Sequence, residues 1–146
     1  MPEKETLERA KEDAREGKAP STQAGEFVRE EIEHIREGKH GARSAKQAIA
    51  IGLSKARRAG VELPAPKQAS KRTRKQAASD TRKGQTAGKR KTSTTRSRAT
   101  TRALKREGSS AASKTALSRQ ARSVAAKRSA AARSLSARKA AATRKK

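Results

Sequence analysis

Large apolar side chains are confined almost entirely to the first 63 residues. Leu7, Phe27, Val28, Ile32, Ile35, Ile49, Ile51, Leu53, Val61 and Leu63 stand there, and beyond residue 66 only Leu104, Leu117, Val124 and Leu135 follow. Burial of such side chains is what offsets the entropy of ordering a chain. The pattern therefore predicts a core in the N-terminal head alone, with a tail too poor in apolar surface to fold by itself.

Charge divides at the same place. Residues 67–146 carry 26 Lys and Arg against Asp80 and Glu107, a surplus of 24, whereas residues 1–66 carry 13 basic and 12 acidic groups. The expected fold class is mostly α and largely disordered, with short N-terminal helices and a low-complexity basic tail. Its divisions are a charged helix over 1–20, a helical hairpin over 21–62, a basic disordered linker over 63–110, and an Ala/Lys/Arg/Ser-rich, helix-capable segment over 111–146.

Three helical patterns define the head. Leu7, Ala10 and Ala14 mark the first, which Gly17 and Pro20 end. The second begins near Ser21 or Thr22, runs Phe27, Val28, Ile32 and Ile35 along one stripe, sets Glu30, Glu31, Glu33 and Glu37 on the other faces, and ends at Gly38. The third opens on the capping box Ser44-Ala45-Lys46-Gln47, continues through Ile49, Gly52, Leu53 and Ala56, and closes at Gly60 after Arg57 and Arg58. So small a head is marginal alone, and the face formed by Phe27, Val28, Ile32, Ile35, Ile49 and Leu53 is the expected contact surface for a homodimer or another partner.

The segment from Lys46 to Gly60, preceded by a helix ending in Glu37-Gly38-Lys39, resembles a group of small basic bacterial proteins of unknown function. The resemblance covers roughly residues 25–62, implies a bacterial source and brings no catalytic residues with it. The tail is similar in composition to histone H1-type C-terminal tails and to bacterial histone-like proteins.

Within the tail, alanine dominates from Ala111 to Thr143 without a Gly or Pro. Alanine favours helix, and repulsion among Lys and Arg opposes it until anions neutralise them. On a helical wheel Leu117, Ala121, Val124, Ala131, Leu135 and Ala142 share one side. A polycation of this kind attracts polyanions. The residues expected to meet phosphates are Lys71, Arg72, Arg74, Lys75, Lys89, Arg90, Lys91, Arg119, Arg122, Lys127, Arg128, Arg133, Arg138, Lys139, Arg144, Lys145 and Lys146, with Arg43, Lys46, Lys55, Arg57 and Arg58 adding to them from the head. With no fixed element to address base edges, the expectation is sequence-nonspecific, histone-like DNA binding in a cytoplasmic, nucleoid setting. RNA or ribosome association is the alternative; it is less favoured because Phe27, the lone aromatic, lies outside the tail.

Other chemistries fare worse. No cysteine is present, which excludes disulfides, thiolate metal sites and cysteine nucleophiles. Gly84-Gln85-Thr86-Ala87-Gly88-Lys89-Arg90 has one residue too few between its glycines for a phosphate-binding loop and lacks the hydroxyl residue after its lysine. His34 and His40 do not share a helical face and read as surface residues, so no metal or other cofactor is expected. The hairpin's connection is too long for a standard helix-turn-helix. No catalytic constellation can be assembled, and the longest apolar stretch, Ala48 to Leu53, is too short to span a bilayer. The basic N-terminal region of a secretory signal is missing as well.

Overall fold

The computed structural model describes residues 2–86 and 93–144. These residues form α1 (Lys4–Arg15), α2 (Pro20–Arg36), α3 (Ala45–Arg58), α4 (Lys71–Gln85), α5 (Thr94–Lys105), a 3-10 turn at Ser110–Ala112, α6 (Lys114–Ala126) and α7 (Ala130–Arg144), with no strand among them. The all-helical reading therefore holds, and the expectation of a largely disordered chain does not.

In the head, Gly17, Gly38 and Gly60 take positive φ values of 70°, 73° and 98°, the left-handed conformation that stops each of the three helices. The start of α2 differs from expectation. Its first residue is Pro20, preceded by Ala19 with no side-chain cap, rather than a Ser21 or Thr22 cap. Proline suits this position because its missing N–H is one that the first turn would leave unpaired. At α3, Ser44 Oγ accepts from the Gln47 amide at 3.2 Å. The Gln47 side chain reaches back one residue further than a capping box requires and accepts from the Arg43 amide at 2.8 Å.

Two apolar clusters hold the helices together. Phe27 packs with Ala10, Ala24, Ala56 and Val61, ringed by Leu7, Leu53 and Leu63. Ile32 and Ile35 pack with Ala42 and Ala48 and also with Ala111 and Ala112, while Val28 and Leu117 lie against that cluster. The second cluster thus draws on the tail. Between α2 and α3 the backbones approach so closely that a Cβ on Gly52 would stand 2.7 Å from Val28 Cα and 3.0 Å from the Phe27 carbonyl oxygen. Gly52→Ala should force the two helices apart at a cost of about 1–3 kcal/mol. Thermal unfolding followed by circular dichroism checks this, and an unchanged midpoint would mean that the crossing has slack.

The acidic face of α2 is also not where the periodicity puts it. Glu30 and Glu31 are 2 % and 0 % exposed. Because α1 and α3 both pack against α2, little of its circumference is left to solvent. Lys55 reaches across from α3 to both carboxylates, 3.3 Å from Glu30 Oε1 and 2.6 Å from Glu31 Oε2. Glu30 also accepts from the Glu3 amide at 3.1 Å. Burial raises its pKa, yet hydrogen bonds from Thr6, Glu3 and Lys55 and the charge on Lys55 outweigh that, leaving the group below the ordinary glutamate value.

The segments 63–110 and 111–146, read as coil and as conditional helix, contain α4 to α7. Serine spacing accounts for much of this. Ser70, Ser93, Ser113 and Ser129 each accept from the amide three residues on, those of Thr73, Arg96, Ala116 and Ala132, so that every tail helix opens on a serine cap. Each such cap is worth about 1 kcal/mol. Hydroxyls inside the helices bond to carbonyls four residues back, as Thr81 does to Ala77, Thr100 to Arg96 and Thr101 to Ser97, which satisfies them within the helix.

The tail is tied to the head by its backbone as well as by its alanines. The Gly41 amide donates to Leu104 O at 2.9 Å and the Ala42 amide to Gly108 O at 3.1 Å. Arg36 Nε donates to Ala112 O at 3.0 Å. The supposed single stripe from Leu117 to Ala142 is broken between α6 and α7; Leu117 joins the core, whereas Val124 and Leu135 are 48 % and 55 % exposed.

Candidate nucleic-acid interface

Of the residues expected to meet phosphates, Lys71, Arg72, Arg74 and Lys75 occupy the first turns of α4, and Arg119, Arg122, Lys127, Arg128, Arg133, Arg138, Lys139 and Arg144 are distributed over α6, the joint after it and α7. All of these are exposed. Lys89, Arg90, Lys91, Lys145 and Lys146 lie outside the described residues, as does most of the Gly84–Arg90 loop. The structure holds Arg128 and Arg133 partly by carbonyls at the α6–α7 joint: Arg128 Nη2 donates to Ala132 O, and Arg133 Nη1 to Arg128 O at 3.0 Å.

The tail's two acids are both turned toward the head. Asp80 is 1 % exposed and receives Arg58 Nε at 2.8 Å. Glu107 lies 3.7 Å from the Arg43 guanidinium. Outward, then, the surface from α5 to α7 is basic without an opposing carboxylate among the described residues of those helices. The first turns of α4, α5 and α6 likewise carry no acid, so no carboxylate offsets their N-terminal partial positive charge.

One groove gathers these features. Its volume is about 500 Å³, and it runs between the N-terminal ends of α3 and α6, lined by Arg43, Ser44, Lys46, Ser113, Arg119 and Gln120 among others. Two capped helix starts and three cations there create an electropositive concavity suited to phosphate oxygens. Sequence reasoning named Arg43, Lys46 and Arg119 separately. Their convergence depends on the return of the tail across α3, for which the Ala111-Ala112 pair, small enough to pack under Ile32 and Ile35, was the available signal.

Three head cations face inward or to neighbours and are committed to the fold. Lys55 serves Glu30 and Glu31. Arg57 is 7 % exposed and donates to the carbonyls of Leu63 and Pro64 at 3.1 and 3.3 Å. Arg58 holds Asp80. The expected contact face is likewise occupied within the chain: Phe27, Ile32 and Ile35 are buried, and Val28 and Leu53 pack against the two clusters. Ile49 is partly exposed.

Residues 21–68 match a family of unknown function, DUF6496. The matched stretch covers α2 from its second residue, α3 and the ten residues after it, and it stops before α4. No curated protein and no solved structure matches the chain. Among the described residues, no helix is long and apolar enough to cross a membrane.

Proposed function

We propose that this chain is a non-enzymatic, histone-like protein of the bacterial nucleoid that binds DNA without sequence preference, neutralising and bridging phosphates through the basic surface of α4 to α7. The observation that carries the reading is the one-sided charge of the tail: its described phosphate-facing cations are exposed, while Asp80 and Glu107 turn inward. Duplex DNA offers one phosphate per about 1.7 Å of axis, so helices studded with cations at short intervals can meet it in many registers. The docked head gives the basic helices a fixed origin, and the groove between α3 and α6 adds a basic concavity to their surface.

Mobility shifts of the full chain on duplexes of unrelated sequence, run over a salt series, test this. About eight phosphate contacts predict a log–log salt slope near −7. Replacing Arg119, Arg122, Lys127 and Arg128 by Gln should lower the slope by up to about 0.9 for each phosphate no longer engaged and weaken all sequences alike. An unchanged affinity in that variant would remove the proposal. Strong preference for single-stranded or folded RNA over duplex DNA would instead favour the ribosome-associated reading.

A further inference from the structure

We propose a divalent transition-metal site, of a kind that takes zinc, formed by Glu31, His34 and His40. The three residues each bring one ligand atom, and these atoms lie within 4.8 Å of one another. Glu31 and His34 are i and i+3 on α2 and share a face. Gly38, at φ 73°, ends the helix and lets the chain turn so that His40 comes back over that face. Its ring stands edge-on to that of His34, with centroids 6.1 Å apart. Neither ring is a surface group: their side chains are 13 % and 15 % exposed.

The state of Glu31 points to a ligand. Its side chain is 1 % exposed, and neither carboxylate oxygen accepts a hydrogen bond from any described residue. Lys55 Nζ is 2.6 Å from Oε2, which pairs the charge, but its approach lacks hydrogen-bond geometry. On the other side, His40 Nε2 stands 3.3 Å from Oε1. His40 Nδ1 is 3.1 Å from the Gly41 carbonyl, which can only accept and so pairs with the tautomer that carries its proton on Nδ1. In that tautomer Nε2 presents a lone pair to a carboxylate lone pair. Two acceptors facing each other in a buried setting are an arrangement that a cation between them satisfies.

His34 has the matching outer partner. Its Nε2 is 2.8 Å from Glu3 Oε1, and Lys39 Nζ lies 3.2 Å from the same oxygen. A carboxylate behind an imidazole fixes the ring and leaves Nδ1 to coordinate. Two imidazoles and one carboxylate form a nitrogen–oxygen set suited to zinc, with the fourth position left to water. Zinc bonds of about 2.0–2.2 Å in a tetrahedron place ligand atoms roughly 3.4 Å apart, so the cluster would contract by at most about 1.4 Å around the ion. The bound ion would join the N-terminal end of α1, through Glu3, to α2 and to the turn after it. All three ligands fall inside residues 21–68, the stretch that matches the family of unknown function.

The test uses the full chain with zinc chloride, measured by competition against a chromophoric chelator and by NMR of the imidazole rings. Because the sequence has two histidines, each ring signal is assigned by a single substitution. One zinc per chain should bind, shifting both imidazole signals and raising the thermal midpoint as zinc exceeds its dissociation constant. His34→Gln and His40→Gln should each lower affinity by more than the roughly 10–100-fold typical of losing an outer partner, and Glu3→Gln should fall within that range. Glu31→Gln alters a buried group, so the two histidine variants carry the decision. Failure of either imidazole to shift at about millimolar zinc, or undiminished binding by the His34→Gln/His40→Gln double variant, would overturn the site.

Discussion

Phe27→Ala is expected to unfold the head. Phe27 is 1 % exposed and is the largest side chain in a cluster with Ala10, Ala24, Ala56 and Val61, ringed by Leu7, Leu53 and Leu63. Removing a buried phenylalanine costs about 3–5 kcal/mol, at the upper end where the surroundings cannot close the cavity. The alanines around it have no χ rotation with which to fill space, and the leucines reach the cavity only from its rim, so closure is partial. A small domain has about 5–15 kcal/mol in total, so the loss takes most of the reserve at the lower bound. Circular dichroism should show the cooperative thermal transition shifted down by more than about 10 °C or abolished. Val124→Ala, at a residue 48 % exposed, serves as the contrast and should change stability by less than about 0.5 kcal/mol. A midpoint for Phe27→Ala within a few degrees of the parent would refute the account of this core.

The head was legible because each of its signals is local. Glycines at 17, 38 and 60 and the serine at 44 act on their own turns, and the apolar spacing of Phe27, Ile32 and Ile35 marks one face regardless of what covers it. What the periodicity left open was the covering. The same helix buries Glu30 and Glu31 because Lys55 arrives from α3, a contact between residues more than twenty positions apart. The histidines were obscured for a related reason: His34 and His40 share no helical face, and it is the left-handed turn at Gly38 that brings them together over Glu31. An acid and a histidine at i and i+3, followed by a glycine turn and a second histidine, was the signal present in the residues.

In the tail, composition pointed one way and punctuation another. Few large apolar side chains argue for coil. Serines placed at 70, 93, 113 and 129 argue for four helix starts, and alanines at 111 and 112 give the chain something small enough to insert beneath α2. Burial there rests on close backbone approach rather than on bulk. At Gly41 a Cβ would stand within 3 Å of the backbone at Glu107 and Gly108, and the hydrogen bonds from Gly41 and Ala42 depend on that approach. The outward basic surface of α5 to α7, by contrast, was readable from charge alone, since charged side chains favour solvent.

Asp80→Ala should release α4 from the head and leave the proposed nucleic-acid binding intact. Asp80 is 1 % exposed and sits at the centre of a four-residue network: Ser54 Oγ donates at 2.7 Å, Arg58 Nε at 2.8 Å, and Gln76 Nε2 lies 3.2 Å from both carboxylate oxygens. With Ala77 buried beside it, this carboxylate ties α4 to Ser54 and Arg58 of α3. Truncation strands Ser54 without its acceptor but lets Arg58, 51 % exposed, turn to water, so the cost is about 2–4 kcal/mol rather than that of a fully buried broken pair. Burial pulls the Asp80 pKa upward, but hydrogen bonds from Ser54, Arg58 and Gln76 and the charge on Arg58 outweigh it and hold the carboxyl below its usual value of 3.8. A depressed native pKa means that its contribution is fully present above the unfolded value and is lost as pH falls below about 4 through the native one. Amide hydrogen exchange across residues 74–85 should accordingly show protection in the parent at pH 6, loss of it on acidification below pH 4, and little protection at either pH in Asp80→Ala. Removing one of the tail's two acids also makes the surface more basic, so DNA affinity should hold or rise slightly at low salt. Equal protection of α4 in parent and variant would show that Asp80 does not anchor it, and a marked loss of DNA affinity would show that the docked position of α4, beyond its charge, is part of the binding surface.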